Sequence, residues 1–368
     1  MRRRPRVILL IESSRSYGRE CLQGIAAYMR VRGPWSCIHL ERGLAENVPA
    51  WMERLPADGI IARIENAPLV RFLQHRRLPT VDLRGRFHIP GFATFNSDHD
   101  AIVRLVAEHF LERGFRHIAF CGFAGLDFSD RRRDALILRL AKHGLVPQIY
   151  EAIDVSHSAS TVTLESAGSR HLKELAAWLK RLPNPVGILA CNDNRGRQVL
   201  DACAMAELAV PEQVAVVGVD NDEVICDLSD PPLSSVQPDA VRIGFEGAAA
   251  LDRMIRTGKP APRRVRLISP RQLVVRRSSD VLAVNDPVVS SALRIIQHQA
   301  CDGLNVERLL DQMTVSRATL ERRFERLLDR SPKDEILRLR LNRVRELLAD
   351  SDDTIVTQVP SKHLGFPR

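Results

Sequence analysis

The stretch GILACNDNRGRQVLDAC (187–203) opens with an unbroken apolar run and turns abruptly polar at Asn192, Asp193 and Arg195. An apolar run with no alternation reads as a strand buried on both faces, which implies a parallel sheet covered by helices on either side. The same signature returns in VILLI (7–11), GIIARI (59–64), PTVDL (79–83), HIAFCG (117–122) and VAVVGVDN (214–221), with amphipathic segments of helical length between the runs. The fold class expected for residues 6 to about 275 is therefore α/β. The rhythm runs to about Ala93 and resumes from Asp98, which predicts two Rossmann-like lobes around a cleft, with ligands at the carboxyl ends of the strands.

After VVRRSSD (274–280), a polar stretch without periodicity, the strands stop. PVVSSALRIIQHQA, NVERLLDQM, VSRATLERRFERLL and PKDEILRLRLNRVRELLA are four consecutive helical patterns. The expected organisation is a two-lobed α/β domain over 1–276, a linker over 277–286 and an all-α domain over 287–368.

Composition sets bounds on function. The chain has 368 residues, a formal net charge of +9 and a pI of about 9.6, which permit a polyanionic partner without requiring one. The local balance says more, because residues 316–345 hold ten Lys or Arg against five Asp or Glu on predicted helices. No run reaches the roughly 18 apolar residues of a membrane span. The apolar run at 7–11 is too short for a signal-peptide core. Seven cysteines, odd in number and never in C-x-x-C spacing, read as reduced, buried small hydrophobes of a cytosolic protein.

No G-x-S-x-G elbow, phosphate loop, H-E-x-x-H or G-x-G-x-x-G is present, and the eleven histidines include no i, i+4 pair. No enzyme, metal site or cofactor is expected. What recurs instead is a polar group just past a strand end: Asp98 after FATFN, Phe128 and Arg132 in DFSDRRRDAL, Asn192 and Asp193 after GILAC, and Asp220 after VVGV. A sugar needs carboxylates and amides for its hydroxyls, a guanidinium, and an aromatic face against its C–H surface. The alternative is that Asp98, Asp193 and Asp220 merely cap the following helices.

SRSYGRECLQGIAAYMRVRGPWS (14–36), GILACNDNRGRQVLDAC (187–203) and VPEQVAVVGVDNDEVICDLSDPPLSSV (210–236) together resemble the xylose operon activators, and the likeness runs along nearly the whole chain. Those proteins join a LacI-type sugar sensor, similar to periplasmic sugar-binding proteins, to an AraC-type DNA-binding domain. Position by position, the resemblance implies ligand contacts at Asp98, Phe128, Arg132, Asn192, Asp193 and Asp220. This chain departs at His99, where the family usually has Asn, and at Phe128, where Trp is frequent.

NVERLLDQMTVSRATLERRFERLL (305–328) has the pattern of a helix, a short turn and a second helix capped by Ser316. Helix-turn-helix spacing would place Arg317, Glu321 and Arg322 at base edges in the major groove. Periodicity alone equally fits a helical hairpin with a solvated charged face. The AraC-type resemblance of 315–348 favours the first reading and implies a long connecting helix over 332–349. The second helix-turn-helix unit is expected to be incomplete, and Pro360 interrupts its first helix at a cost of about 3 kcal/mol. Together these features imply a cytoplasmic, dimeric, sugar-responsive regulator, an activator of a xylose or related pentose operon whose partners are a sugar effector and operator DNA. The alternative is a sugar-binding module whose shortened DNA-binding domain no longer works.

Overall fold

The computed structural model describes residues 4–40, 43, 46, 49–152, 161–259, 264–281, 286–328 and 330–349. Two compact units divide the chain, one ending at Asp280 and the other beginning at Val281.

In the first unit the elements run β1 (Arg6–Leu10), α1 (Ser16–Arg32), β2 (Ser36–His39), β3 (Gly59–Ala62), α2 (Ala67–Arg76), β4 (Thr80–Asp82), β5 (Ala93–Ser97) and α3 (His99–Glu112). They continue with β6 (His117–Phe123), α4 (Asp127–Ala141), β7 (Gln148–Ala152), α5 (Thr161–Arg170), α6 (Leu172–Leu179), β8 (Val186–Ala190) and α7 (Asp193–Ala206). The last are β9 (Val214–Val219), α8 (Glu223–Asp227), β10 (Ser234–Gln237), α9 (Ala240–Thr257), β11 (Arg266–Ile268) and β12 (Gln272–Val274). The strands form two sheets, ordered β11-β5-β4-β3-β1-β2 and β12-β10-β9-β8-β6-β7. All the described pairings are parallel except β10 with β12. The central strands β1, β3, β8 and β9 are buried almost throughout because each is apolar on both faces.

The division into lobes is not the simple halving expected from the sequence. The chain crosses between lobes three times, at 97–99, 237–240 and 268–272, and so returns α9 and β11 to the first lobe. Leu251, Ile243 and Met254 of α9 share a core with Val7, Ile25 and Tyr28. The axes of α1 and α9 approach so closely that a Cβ on Gly24 would overlap the Val241 carbonyl, and one on Gly244 the Cys21 carbonyl. The second lobe has its own core, where Trp178, Leu179 and Leu182 pack on Ile188, Val216 and Leu200. Five cysteines are buried as expected, but Cys37 on edge strand β2 is exposed and Cys301 is half-buried. Ser278 and Ser279, expected in a linker, are fully buried: the Ser278 hydroxyl donates to Val216 O at 2.6 Å, and the two serine side chains also bond the backbone or side chain of Ser234.

The second unit comprises α10 (Pro287–Gln299), α11 (Val306–Leu310), α12 (Arg317–Leu328) and α13 (Pro332–Ala349). Asp286 caps α10 by accepting from Val288 N and Val289 N, and the Arg323 guanidinium donates to both of its oxygens at 2.9 Å. Val289, Leu293, Ile296, Leu309, Leu320, Phe324, Leu328 and Ile336 form the core of this unit. The predicted second helix-turn-helix unit, including Pro360, lies outside the described residues. No helix among the described residues is long and apolar enough to cross a membrane.

Candidate functional site

A cleft of about 560 Å³ opens between the two lobes at the carboxyl ends of their strands. The first lobe contributes Arg15 and Tyr17 from the start of α1, Arg63 after β3, Arg84 after β4, and Asn96 and Ser97 on β5. From the second come His99 of α3, Phe128 and Arg132 of α4, Glu165 of α5, Asn192 and Asp193 after β8, and Asp220 after β9. Five of the six expected ligand residues therefore meet here. The sixth does not, because Asp98 turns its carboxylate to Ala101 N at 3.0 Å as the cap of α3. Its backbone N donates to Ile268 O at 2.8 Å, so it ties one lobe crossing to another. Short polar residues at such junctions commonly satisfy helix termini, and capping prevails at this position.

The walls are strongly charged and mostly paired. Arg63 is ion-paired with Glu12 and lies 4.6 Å from the Tyr17 ring centroid. Burial, then neighbouring Arg84, brings its pKa down to about 10. Arg84 pairs with Glu65 at 2.8 Å, and although burial opposes its charge, Glu65 and Asp127 hold its pKa above the ordinary value. The guanidiniums of Arg84 and Arg132 stand 5.0 and 5.3 Å from the Phe128 ring centroid, within cation–π range. Phe128 thus organises two cations as well as offering an apolar surface.

Besides Arg84 over Phe128, polar contacts among the described residues reach across from lobe to lobe. Arg15 donates in bidentate fashion to Glu165 at 3.0 and 2.6 Å, and Thr161 Oγ1 donates to Glu65 at 2.6 Å. Arg84 approaches Asp127 at 3.3 Å, and Ser16 N donates to Asp222 at 3.4 Å. Glu165 also receives the Asn192 amide at 2.7 Å, while the Asn192 oxygen caps α7 through Arg195 N.

Arg132 and Asp220, both charged groups of the cleft wall, are left open among the described residues. The Arg132 guanidinium reaches the Cys191 carbonyl, but its Nε is buried without a partner, and no carboxylate lies within 4.0 Å among the described residues. Burial draws its pKa down while Asp220 works the other way. The Asp220 carboxylate has no hydrogen bond or ion pair among the described residues, and burial raises its pKa against the pull of Arg132, Arg15 and Arg63. Asp220 and Asn221 adopt φ of 123° and 50°, values that L-residues seldom take and that cluster at ligand sites. His99 is 8 % exposed, and both its ring nitrogens lack hydrogen-bond partners among the described residues. Burial, then Arg132, keeps it neutral well below pH 6.5. Arg15, Arg63, Arg84 and Glu165 were not singled out in the sequence: the arginines follow strands, which is a usable signal, whereas Glu165 lies inside a helix and carries none.

In the second unit, Ser316 Oγ accepts from Thr319 N at 3.3 Å at the start of α12. Arg317 and Arg322 are exposed on that helix, and Glu321 is half-buried. Arg317 is tethered to Glu321 at 2.9 Å and to Glu307 at 3.4 Å.

Residues 6–93 match the family described as XylR N-terminal domain, and residues 107–279 the one described as periplasmic binding protein-like domain. The chain is 30% identical over 371 residues to the xylose operon regulatory protein of Haemophilus influenzae, covering 98% of this chain and 92% of that one. It is 28% identical over 375 residues to the protein of the same description from Escherichia coli K12, covering 99% and 92%. A solved structure described as the xylose-binding transcription activator xylR superposes with a TM-score of 0.76 at 27% identity, covering 100% of this chain and 93% of the other. The CelR–cellobiose complex, at 19% identity and a TM-score of 0.59 over 75% of this chain and 85% of that one, shares the fold of the two-lobed unit. These relatives are transcriptional regulators and not enzymes. The collinear match along almost the full length, together with the two-lobed fold, means that this chain belongs to the xylose operon regulatory protein family.

Proposed function

We propose that the chain is a cytoplasmic, sugar-responsive transcriptional regulator that takes a neutral pentose such as D-xylose in the cleft and acts on operator DNA as a homodimer, activating a pentose catabolic operon. In this reading the two-lobed unit ending at Asp280 senses the sugar, and the second unit binds DNA through the helix-turn-helix formed by α11 and α12. The observation that carries it is the pair left open on the second lobe's wall of the cleft, the Asp220 carboxylate and the Arg132 guanidinium. A hydroxyl donates to the one and accepts from the other, so a neutral polyol satisfies both without adding charge. Phe128 and Asn192 border the same space. The likeness to a xylose-binding transcription activator at 27% identity supports the pentose and the direction of regulation.

Sugar binding shifts the chain between arrangements only so far as its affinities for them differ, and contacts from both lobes favour the closed one. On the DNA side, Arg317, Glu321 and Arg322 reach base edges from one face of α12, and the surrounding basic residues meet phosphates. Calorimetric titration with D-xylose tests the sugar half. Asp220→Ala is expected to weaken binding by about 1.5–3 kcal/mol, and unchanged affinity would remove the assignment.

A further inference from the structure

Asp193 borders the cleft, yet its carboxylate is turned into the second lobe. The residue is 1 % exposed. One oxygen accepts from the Ser235 hydroxyl at 2.5 Å, and the other from Asp222 N at 2.8 Å and the Cys226 thiol at 3.6 Å. Ser235 Oγ in turn accepts from Asn221 N at 3.0 Å, and Asn221 Oδ1 accepts from the Arg276 guanidinium at 2.8 Å. The backbone N–H groups of both residues after Asp220 are thus fixed, directly or through one hydroxyl, by a single carboxylate. Gly218 completes the arrangement, because a Cβ there would overlap the Asp193 Oδ1 atom.

We propose that Asp193 is a positioning residue for the ligand-facing Asp220: by fixing the amides of Asn221 and Asp222 it holds Asp220 and Asn221 in the positive-φ conformation that aims the Asp220 carboxylate into the cleft. The inference rests on the reading of Asp220 as a sugar contact. An unbranched chain at φ 123° relaxes toward commoner conformations unless its neighbours over-determine it. Here the over-determination is the network through Asp193, Ser235 and Arg276. Asparagine at position 193 can accept one of the two bonds but must face the other donor with an NH₂ group.

The test is a double-mutant cycle on the full chain, read by D-xylose calorimetry and by amide hydrogen exchange. Asp193→Asn is expected to weaken binding about tenfold, a change of about 1.4 kcal/mol. In an Asp220→Gly background, where no carboxylate remains to be aimed and the glycine relieves the φ, the same substitution should change affinity less than about twofold. Ser235→Ala, whose hydroxyl lies behind the cleft wall, should weaken binding in the same direction and show the same dependence on Asp220. It carries the cycle if Asp193→Asn does not fold. Exchange at the Asn221 and Asp222 amides should accelerate in both single variants while the centre of β9 stays protected. Equal losses with and without Asp220, which direct contact or general destabilisation would give, overturn the inference. So do unchanged amide protection or unchanged affinity in both variants. Absence of xylose binding by the parent protein would instead refute the sugar reading, and the exchange measurement would still decide whether Asp193 fixes the segment.

Discussion

His99 places a neutral imidazole against Arg84, Arg131 and Arg132, and that choice of protonation state has a measurable consequence. Its folded pKa lies below the unfolded value of 6.5, so between the two the unfolded chain binds more protons. The stability it contributes is complete above pH 6.5 and is lost as pH falls. His109, buried and hydrogen-bonded to Ser279 and lowered to about 3, acts in the same direction. Asp82 and Asp193, both pushed up to about 7 by burial, have the opposite sign, with stability falling as pH rises from about 4 to 7. The informative quantity is therefore a difference between proteins. In urea denaturation of parent and His99→Asn at pH 6.5 and pH 5, the variant should lose less stability on acidification. Identical pH dependence would mean that His99 titrates alike in both states.

The crossing of α1 over α9 is the tightest helix contact described, and it depends on hydrogen atoms at Gly24 and Gly244. Gly244→Ala should push the helices apart at a cost of about 1–3 kcal/mol, seen as a lowered midpoint in thermal or urea denaturation. On α12, Arg322→Ala should reduce discrimination between operator and random duplex about tenfold or more if the guanidinium reads a base, whereas equal weakening on both duplexes would make it a phosphate contact. Arg317→Ala tests the same face, and its exposed links to Glu307 and Glu321 are of the kind readily exchanged for DNA. Which elements could be read from sequence follows from the same physics. Strands β1, β3, β4, β6, β8 and β9 were legible as continuous apolar runs, and α12 and α13 as amphipathic patterns with a serine cap and an N-terminal proline. Strands β2 and β7 form sheet edges, β10 begins with two serines committed to side-chain bonds, and β11 and β12 are three residues each, so none carries enough apolar periodicity. Helix α9 was not singled out in the sequence, and nothing local says that it covers the first sheet rather than the second. In the site, strand ends located the cleft correctly and Asp98 turns to a local donor, Ala101 N, as the capping alternative allowed, while the direction in which Asp193 turns depends on donors at 222, 226 and 235, far away in sequence.

Across the sensing unit, the bidentate Arg15–Glu165 pair is the strongest candidate for holding the lobes together, since each residue belongs to a different lobe and Glu165 also steadies Asn192. Glu165→Gln keeps the shape but removes the ion pair, and should open the unliganded protein, read as a larger radius of gyration by X-ray scattering, and weaken D-xylose binding several-fold. Unaltered scattering and affinity would show that the pair is incidental to closure. The separate cores of the two units predict that a chain ending at Asp280 still binds the sugar. The three crossings between lobes also set a timetable for the ribosome. The second lobe is nearly contiguous, so apart from β12 it can assemble as soon as residue 237 has emerged. The first lobe, although begun first, lacks the helix that covers α1 until about 200 further residues have been made. At ordinary translation rates of about 5–20 residues per second, α1 waits roughly 10–40 s with its apolar face uncovered. The lobe begun first thus waits longest for its cover, and during that interval the nascent chain presents a surface of the kind that holdase chaperones bind.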